Sequence, residues 1–347
     1  MEVSTKAFVK SALSQVCSSL GVNKLLRNRL HRHLLVLCYH GVVEKPQEDR
    51  YGYGNTVSAS EFRAHLEFLA KHFRPVSADQ LIAHRKQGKE LPLNAALVTF
   101  DDGYRNNLTL AAPLLRSVGV PCVFFVSTNY VGTREVLWTD DLIGRVLFWN
   151  DTSLPMPEGG ERALPNETES RRRVAQGLKE LCKRLPWDVV KPWLGRIREA
   201  SNAAPSNAEL YDFMDWNEVR ELHRQGFEIG SHTMEHPILT RIGPDALQRE
   251  LVGSKLRIEQ ELGLEQGAGK VRCRTIAYPN GGASDVSPEV FSAAGAAGYE
   301  LGFTVGERHS PPGEDQFSIS RLCIQGHLPM SEFTYRVDGL QRAVGAG

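Results

Sequence analysis

From residue 34 onward, short apolar runs alternate with helical stretches, and no other feature restricts the fold as strongly. Strands are expected at Leu34–Tyr39, Ala96–Phe100, Pro121–Val126, Phe227–Gly230, Thr275–Tyr278, Leu301–Val305 and Phe317–Ile324. Helices are expected at Ser60–Lys71, Ala78–Arg85, Leu108–Ser117, Trp216–Gln225, Pro244–Leu262 and Pro288–Ala297. The strands are continuously apolar, so both of their faces should be covered. Strand and helix in alternation then make the sheet mainly parallel. About seven such strands suit an α/β barrel.

Residues 150 to 210 interrupt the rhythm. A stretch rich in Pro, Gly, Glu and Ser precedes a charged segment in which Leu178, Leu181, Leu185, Val189, Trp193 and Ile197 recur at helical spacing. This predicts an inserted helical segment that borders the active face. Ahead of the first strand, Val9, Leu13, Val16 and Leu20 share a helical face, with basic residues behind them from Lys24 to Arg32. Such a helix suits either an anionic membrane surface or packing on the domain, and packing is the expectation. The organisation expected is a helix and basic linker over 1–33, one domain over 34–340 and a tail over 341–347.

Charge and cysteine usage exclude several roles. Lys plus Arg and Asp plus Glu both number 41, so no net field draws the chain to nucleic acid. Cys17, Cys38, Cys122, Cys182, Cys273 and Cys323 show no CxxC spacing, which argues against a zinc knuckle or a dense disulfide framework and for reduced thiols. The first residues are too polar for a secretory apolar region, and no apolar run reaches the ~20 residues of a membrane span. The expected location is the cytoplasm, with peripheral contact at the inner membrane face left open.

Chemistry concentrates at strand ends. Thr99-Phe100-Asp101-Asp102-Gly103 puts two carboxylates after an apolar strand, where one could bind a metal and its neighbour take a proton from water. Downstream, Ser231-His232-Thr233-Met234-Glu235-His236-Pro237 carries two imidazoles four residues apart, which one helical turn would place on the same side. Asp102, His232 and His236 make a two-His, one-carboxylate set that leaves a position for water. Arg274-Thr275-Ile276-Ala277-Tyr278-Pro279-Asn280-Gly281 supplies an arginine before a strand and a rigid turn after it, with the Tyr278 amide available to an oxyanion. A weaker segment, Asp315 to Arg321, adds a charge pair near the last strand.

Taken in order, these segments resemble the polysaccharide deacetylase family, also called the NodB-homology or carbohydrate esterase family 4 domain. The resemblance spans roughly Leu34 to Leu340. Cys38-Tyr39-His40-Gly41-Val42 is similar to the opening strand of one branch, and Trp138-Thr139-Asp140-Asp141 to its Trp-rich stretch. What the resemblance implies is a deformed (β/α)7-type barrel and a metal-dependent hydrolase that removes an N-acetyl group from a sugar in a glycan or glycolipid precursor. It further implies that Asp102, His232 and His236 hold a divalent metal, usually zinc, and that Asp101 is the general base. Arg274 would orient Asp101, and the Tyr278 amide would hold the oxyanion. Where the family carries a late Leu-x-His motif, this chain reads Arg321-Leu322-Cys323-Ile324-Gln325-Gly326-His327. His327 is therefore the expected general acid, with His40 and His309 as alternatives. Hydrolysis of an O-acetyl ester, and glycan binding without catalysis, are the competing readings.

Overall fold

The computed structural model describes residues 27–45, 54–201, 208–263, 271–326 and 328–339. The amphipathic helix expected near the N-terminus, Cys17, His327 and the C-terminal tail lie outside the described residues. Seven strands form the framework: β1 (Leu35–Tyr39), β2 (Ala95–Phe100), β3 (Cys122–Val126), β4 (Glu228–Ser231), β5 (Thr275–Ala277), β6 (Leu301–Val305) and β7 (Ile319–Cys323). Each is parallel to its neighbours, and β1 pairs with both β2 and β7, so the sheet closes into a seven-stranded barrel. Helices α1 (Ala59–His72), α2 (Ala78–Gln87), α3 (Ala112–Val118), α4 (Trp138–Leu147), α5 (Thr168–Cys182), α6 (Trp187–Ala200), α7 (Trp216–Arg224), α8 (Pro244–Gly263), α9 (Pro288–Ala296) and α10 (Met330–Val337) follow in chain order.

The strands are apolar on both sides because each side has its own layer to fill. Leu35, Leu37 and Tyr39 of β1, with Val98 and Phe100 of β2 and Phe124 of β3, pack outward against the helices. Val36, Leu97, Val123, Phe125, Leu301 and Phe303 alternate with them and fill the interior. The interior is tight. A Cβ on Gly230 would lie 2.4 Å from the Phe125 ring, so β4 needs glycine there to accommodate the aromatic.

The segment between β3 and β4 has a small core of its own. Leu142 and Val146 of α4 pack with Leu178 of α5 and with Val190, Trp193 and Ile197 of α6. The sequence predicted one charged helical stretch here; the structure has α5 and α6, broken before Pro186, and a further helix, α4, ahead of them. Asp141 ties this unit together, accepting from Arg145 at 2.8 Å and Arg198 at 2.7 Å.

Candidate active site

Parallel strands in a closed barrel deliver their C-terminal ends to one face, where loops of unrelated sequence position meet. Asp101 follows β2 and extends its ladder, its amide donating to the Tyr39 carbonyl at 2.9 Å. Thr99 and Asp101 point into the barrel by the two-residue period. Asp102 then leaves the strand in a left-handed conformation (φ 73°), which turns its carboxylate toward the next loop. Gly103 is required by this turn: its φ is 92° and a Cβ would lie 3.0 Å from Val126.

The two histidines converge by a different route from the one expected. No helical turn runs from 232 to 236; a loop does, with Thr233 (φ 66°) and His236 (φ 57°) in the left-handed region, and it brings the rings to 4.8 Å between centroids. Asp102 Oδ1 lies 3.5 Å from His232 Nε2 and 3.6 Å from His236 Nε2. His232 Nδ1 contacts the Ala277 carbonyl at 2.7 Å, which fixes the proton on Nδ1 and leaves Nε2 as an electron-pair donor. Burial lowers the pKa of both imidazoles, with His232 adding to the effect at His236. Burial, then the charges of Asp101 and Asp140, push Asp102 up. This buried carboxylate faces two neutral imidazoles and has no paired cation of its own among the described residues. Three donor atoms within 4.8 Å of one another, all buried, therefore fit a divalent cation.

The orienting arginine is a correction to the sequence reading. Arg274 stands before β5 and thus at the opposite end of the barrel, where it pairs with Asp79. The cation on Asp101 is Arg321 of β7, fully buried, donating from Nη1 at 2.7 Å and Nη2 at 2.8 Å. Burial alone would raise the Asp101 carboxyl, but this guanidinium outweighs it and holds the group well below the usual carboxylate range. Arg321 also donates to Thr99 Oγ1 at 3.2 Å and to the Thr304 carbonyl at 3.3 Å, so its fork is locked. Alternation on β7 was the available signal: Ile319, Arg321 and Cys323 face inward together, and an arginine inside a barrel needs an acid.

Tyr278 is a second correction. Its amide donates to the Phe303 carbonyl at 3.1 Å and is not available to an oxyanion, while its ring packs outward on Phe291. Asp315 caps the Phe317 amide at 2.7 Å instead of pairing with Arg321. Among the alternative acids, His309 is buried on the Val337 carbonyl at 2.9 Å. His40 does reach the site. A ring nitrogen of His40, Cys38 Sγ and an Asp101 oxygen lie within 4.8 Å of one another, and its Nδ1 has no hydrogen-bond partner among the described residues. Burial lowers its pKa to about 4. Sequence reading also missed Tyr104, whose hydroxyl donates to Asp140 at 2.9 Å, and the role of Trp138, whose Nε1 donates to the His236 carbonyl at 3.1 Å.

The family model described as polysaccharide deacetylase matches residues 88–301, more than half of the chain. The chain belongs to the polysaccharide deacetylase family. A stretch of 122 residues, 34% of the chain, is 29% identical to the poly-beta-1,6-N-acetyl-D-glucosamine N-deacetylase of Escherichia coli K12, and it spans only 18% of that protein's length. Among solved structures, the Streptococcus pyogenes deacetylase PplD in complex with acetate aligns with a TM-score of 0.56 at 16% identity, covering 88% of this chain and 98% of that one. IcaB from Ammonifex degensii aligns at 0.54 and 19% identity, covering 89% and 98%. At such identities the structures speak for the barrel alone.

Proposed function

We propose that this chain hydrolyses the N-acetyl group of a sugar unit in a polysaccharide or its precursor, with a divalent cation held by Asp102, His232 and His236. The observation that carries the reading is the division of labour between neighbouring carboxylates: Asp101 has its own buried cation, while Asp102 is paired with none among the described residues. A divalent cation there supplies Lewis acidity toward a water molecule and toward the acetamide carbonyl. Asp101, held ionised by Arg321, is the proton acceptor. It lies 3.9 Å from His232 Nε2, beside the position that the donor set would fill. His40, beside Asp101 and neutral at rest, would take up the proton that Asp101 accepts from water and hand it to the departing amine. The match to an N-deacetylase of a polymer of N-acetylglucosamine supports an N-acetylated glycan as the substrate class.

Acetate release from oligomers of N-acetylglucosamine tests the reading. Activity should vanish on chelation and return with an added divalent ion, and Asp101→Asn should lower kcat by ~10²–10⁴-fold. A metal-loaded protein that releases no acetate from any N-acetylated saccharide would sink it; release from O-acetylated sugars alone would redirect it to ester hydrolysis.

A further inference from the structure

A cavity of about 790 Å³ opens beside the candidate metal site, between the inserted helices and the loop that carries the histidines. This is within the range typical of small-molecule sites. Trp187 and Lys191 come from α6, Arg249 from α8 and Arg241 from the loop, while Glu235 and Pro237, the residues on either side of His236, complete the lining that matters here.

Its formal charges balance, with Asp188, Glu235 and Glu250 against Lys191, Arg241 and Arg249, but they are not paired off one to one. Of the three bordering carboxylates, Glu235 is taken by Lys191 at 2.6 Å, and Glu250 accepts the amides of Met234 and Glu235 at 2.7 and 3.0 Å. Asp188, in the first turn of α6, also borders the cavity. Arg241 and Arg249 form no ion pair among the described residues, and the Nε of Arg241 is buried without an acceptor. Arginine forks in that condition match the planar, two-oxygen edge of a phosphate or a carboxylate. The wall is also mechanically joined to the metal loop. The Trp187 ring sits 5.8 Å from that of Trp138, which holds the His236 carbonyl.

Resting on the deacetylase reading above, we infer that this cavity is a subsite for an oxyanion borne by the saccharide on a unit next to the acetylated one. Arg241 and Arg249 bind the anion and Trp187 covers the sugar face. A phosphate of an activated or lipid-linked precursor and the carboxylate of a uronate present the same chemistry, so the experiment separates them.

Calorimetric binding to the full chain would be measured for three ligands: a neutral disaccharide of N-acetylglucosamine, the same disaccharide with a 1-phosphate on its second unit, and a disaccharide of N-acetylglucosamine with glucuronate. At least one anionic ligand should bind about tenfold more tightly than the neutral sugar, and whichever does so identifies the source. In Arg241→Ala/Arg249→Ala that preference should collapse toward unity. Equal affinities in the wild type, or a preference that survives the double substitution, would overturn the inference. If the double variant does not fold, Arg249→Glu, at an exposed position of α8, should abolish the preference, and its persistence there counts equally against the subsite. Binding is read without turnover. A chain that discriminates anions but releases no acetate would therefore fail the deacetylase reading and keep the subsite.

Discussion

The two ends of the barrel carry similar side chains and treat them differently. At the C-terminal end, Asp101 and Asp102 are both buried, one clasped by a buried guanidinium and the other facing two imidazoles. At the N-terminal end, Arg274, Glu228, Glu300 and Asp79 surround a cavity of about 480 Å³. There Arg274 meets a solvent-exposed carboxylate, and Glu300 takes Lys86 at 2.8 Å. An arginine and acids in a cavity do not make a centre. What separates the ends is convergence in a dry place: at one, several donor atoms aim at a common point with a charge left over, while at the other Arg274 and Glu300 are paired off separately and Glu228 is met by the Thr275 hydroxyl.

The largest expected contrast comes from removing the arginine at each end. Arg321→Ala strands Asp101 without its cation and should cost roughly 3–5 kcal/mol of stability in denaturant unfolding, with acetate release lost as well. Arg274→Ala removes a partly exposed pair and should cost less than about 1 kcal/mol, with activity within about twofold of wild type. Similar losses for both would break the comparison. Next in size, His40→Ala should lower kcat by ~10²-fold in steady-state assays, since it removes a proton donor. His309→Ala, which loses the hold on the Val337 carbonyl, should leave the folded enzyme's kcat nearly intact and show its effect in melting experiments. Equal kcat losses would mean that His40 is not the donor.

The smallest effect sharpens the N-terminal side. Glu228 is pushed up to about 7, first by burial and further by Glu300, with a hydrogen bond from Thr275 opposing. Because its folded pKa lies above its unfolded one, the stability it contributes is complete below pH about 4.5 and is lost as pH rises through about 7. Glu228→Gln should therefore gain on the order of 1–2 kcal/mol over wild type at pH 8 and nothing at pH 4, read from unfolding curves at both values. A pH-independent difference would show that Glu228 is solvated enough to titrate normally.

By itself the sequence determined the barrel and half of the site. Periodicity sufficed for the strands because most present apolar side chains to both faces, and that depends on local composition alone; β2 and β3 differ from the expected bounds by one residue. The pairing of Asp101 and Asp102 with His232 and His236 was legible because each group sits on its own contiguous motif. Three things were decided only in three dimensions. The left-handed residues Thr233 and His236, not a helical turn, bring the imidazoles together, and backbone handedness at non-glycine positions leaves no periodic trace. Arg321 reaches Asp101 across 220 residues because closure of the sheet sets β7 beside β1 and hence near β2. Arg274, at the start of its strand, stands at the far end because the strands all run parallel, and there it meets Asp79. A chain records which residues each strand presents to the interior; only the closed ring decides which of them meet.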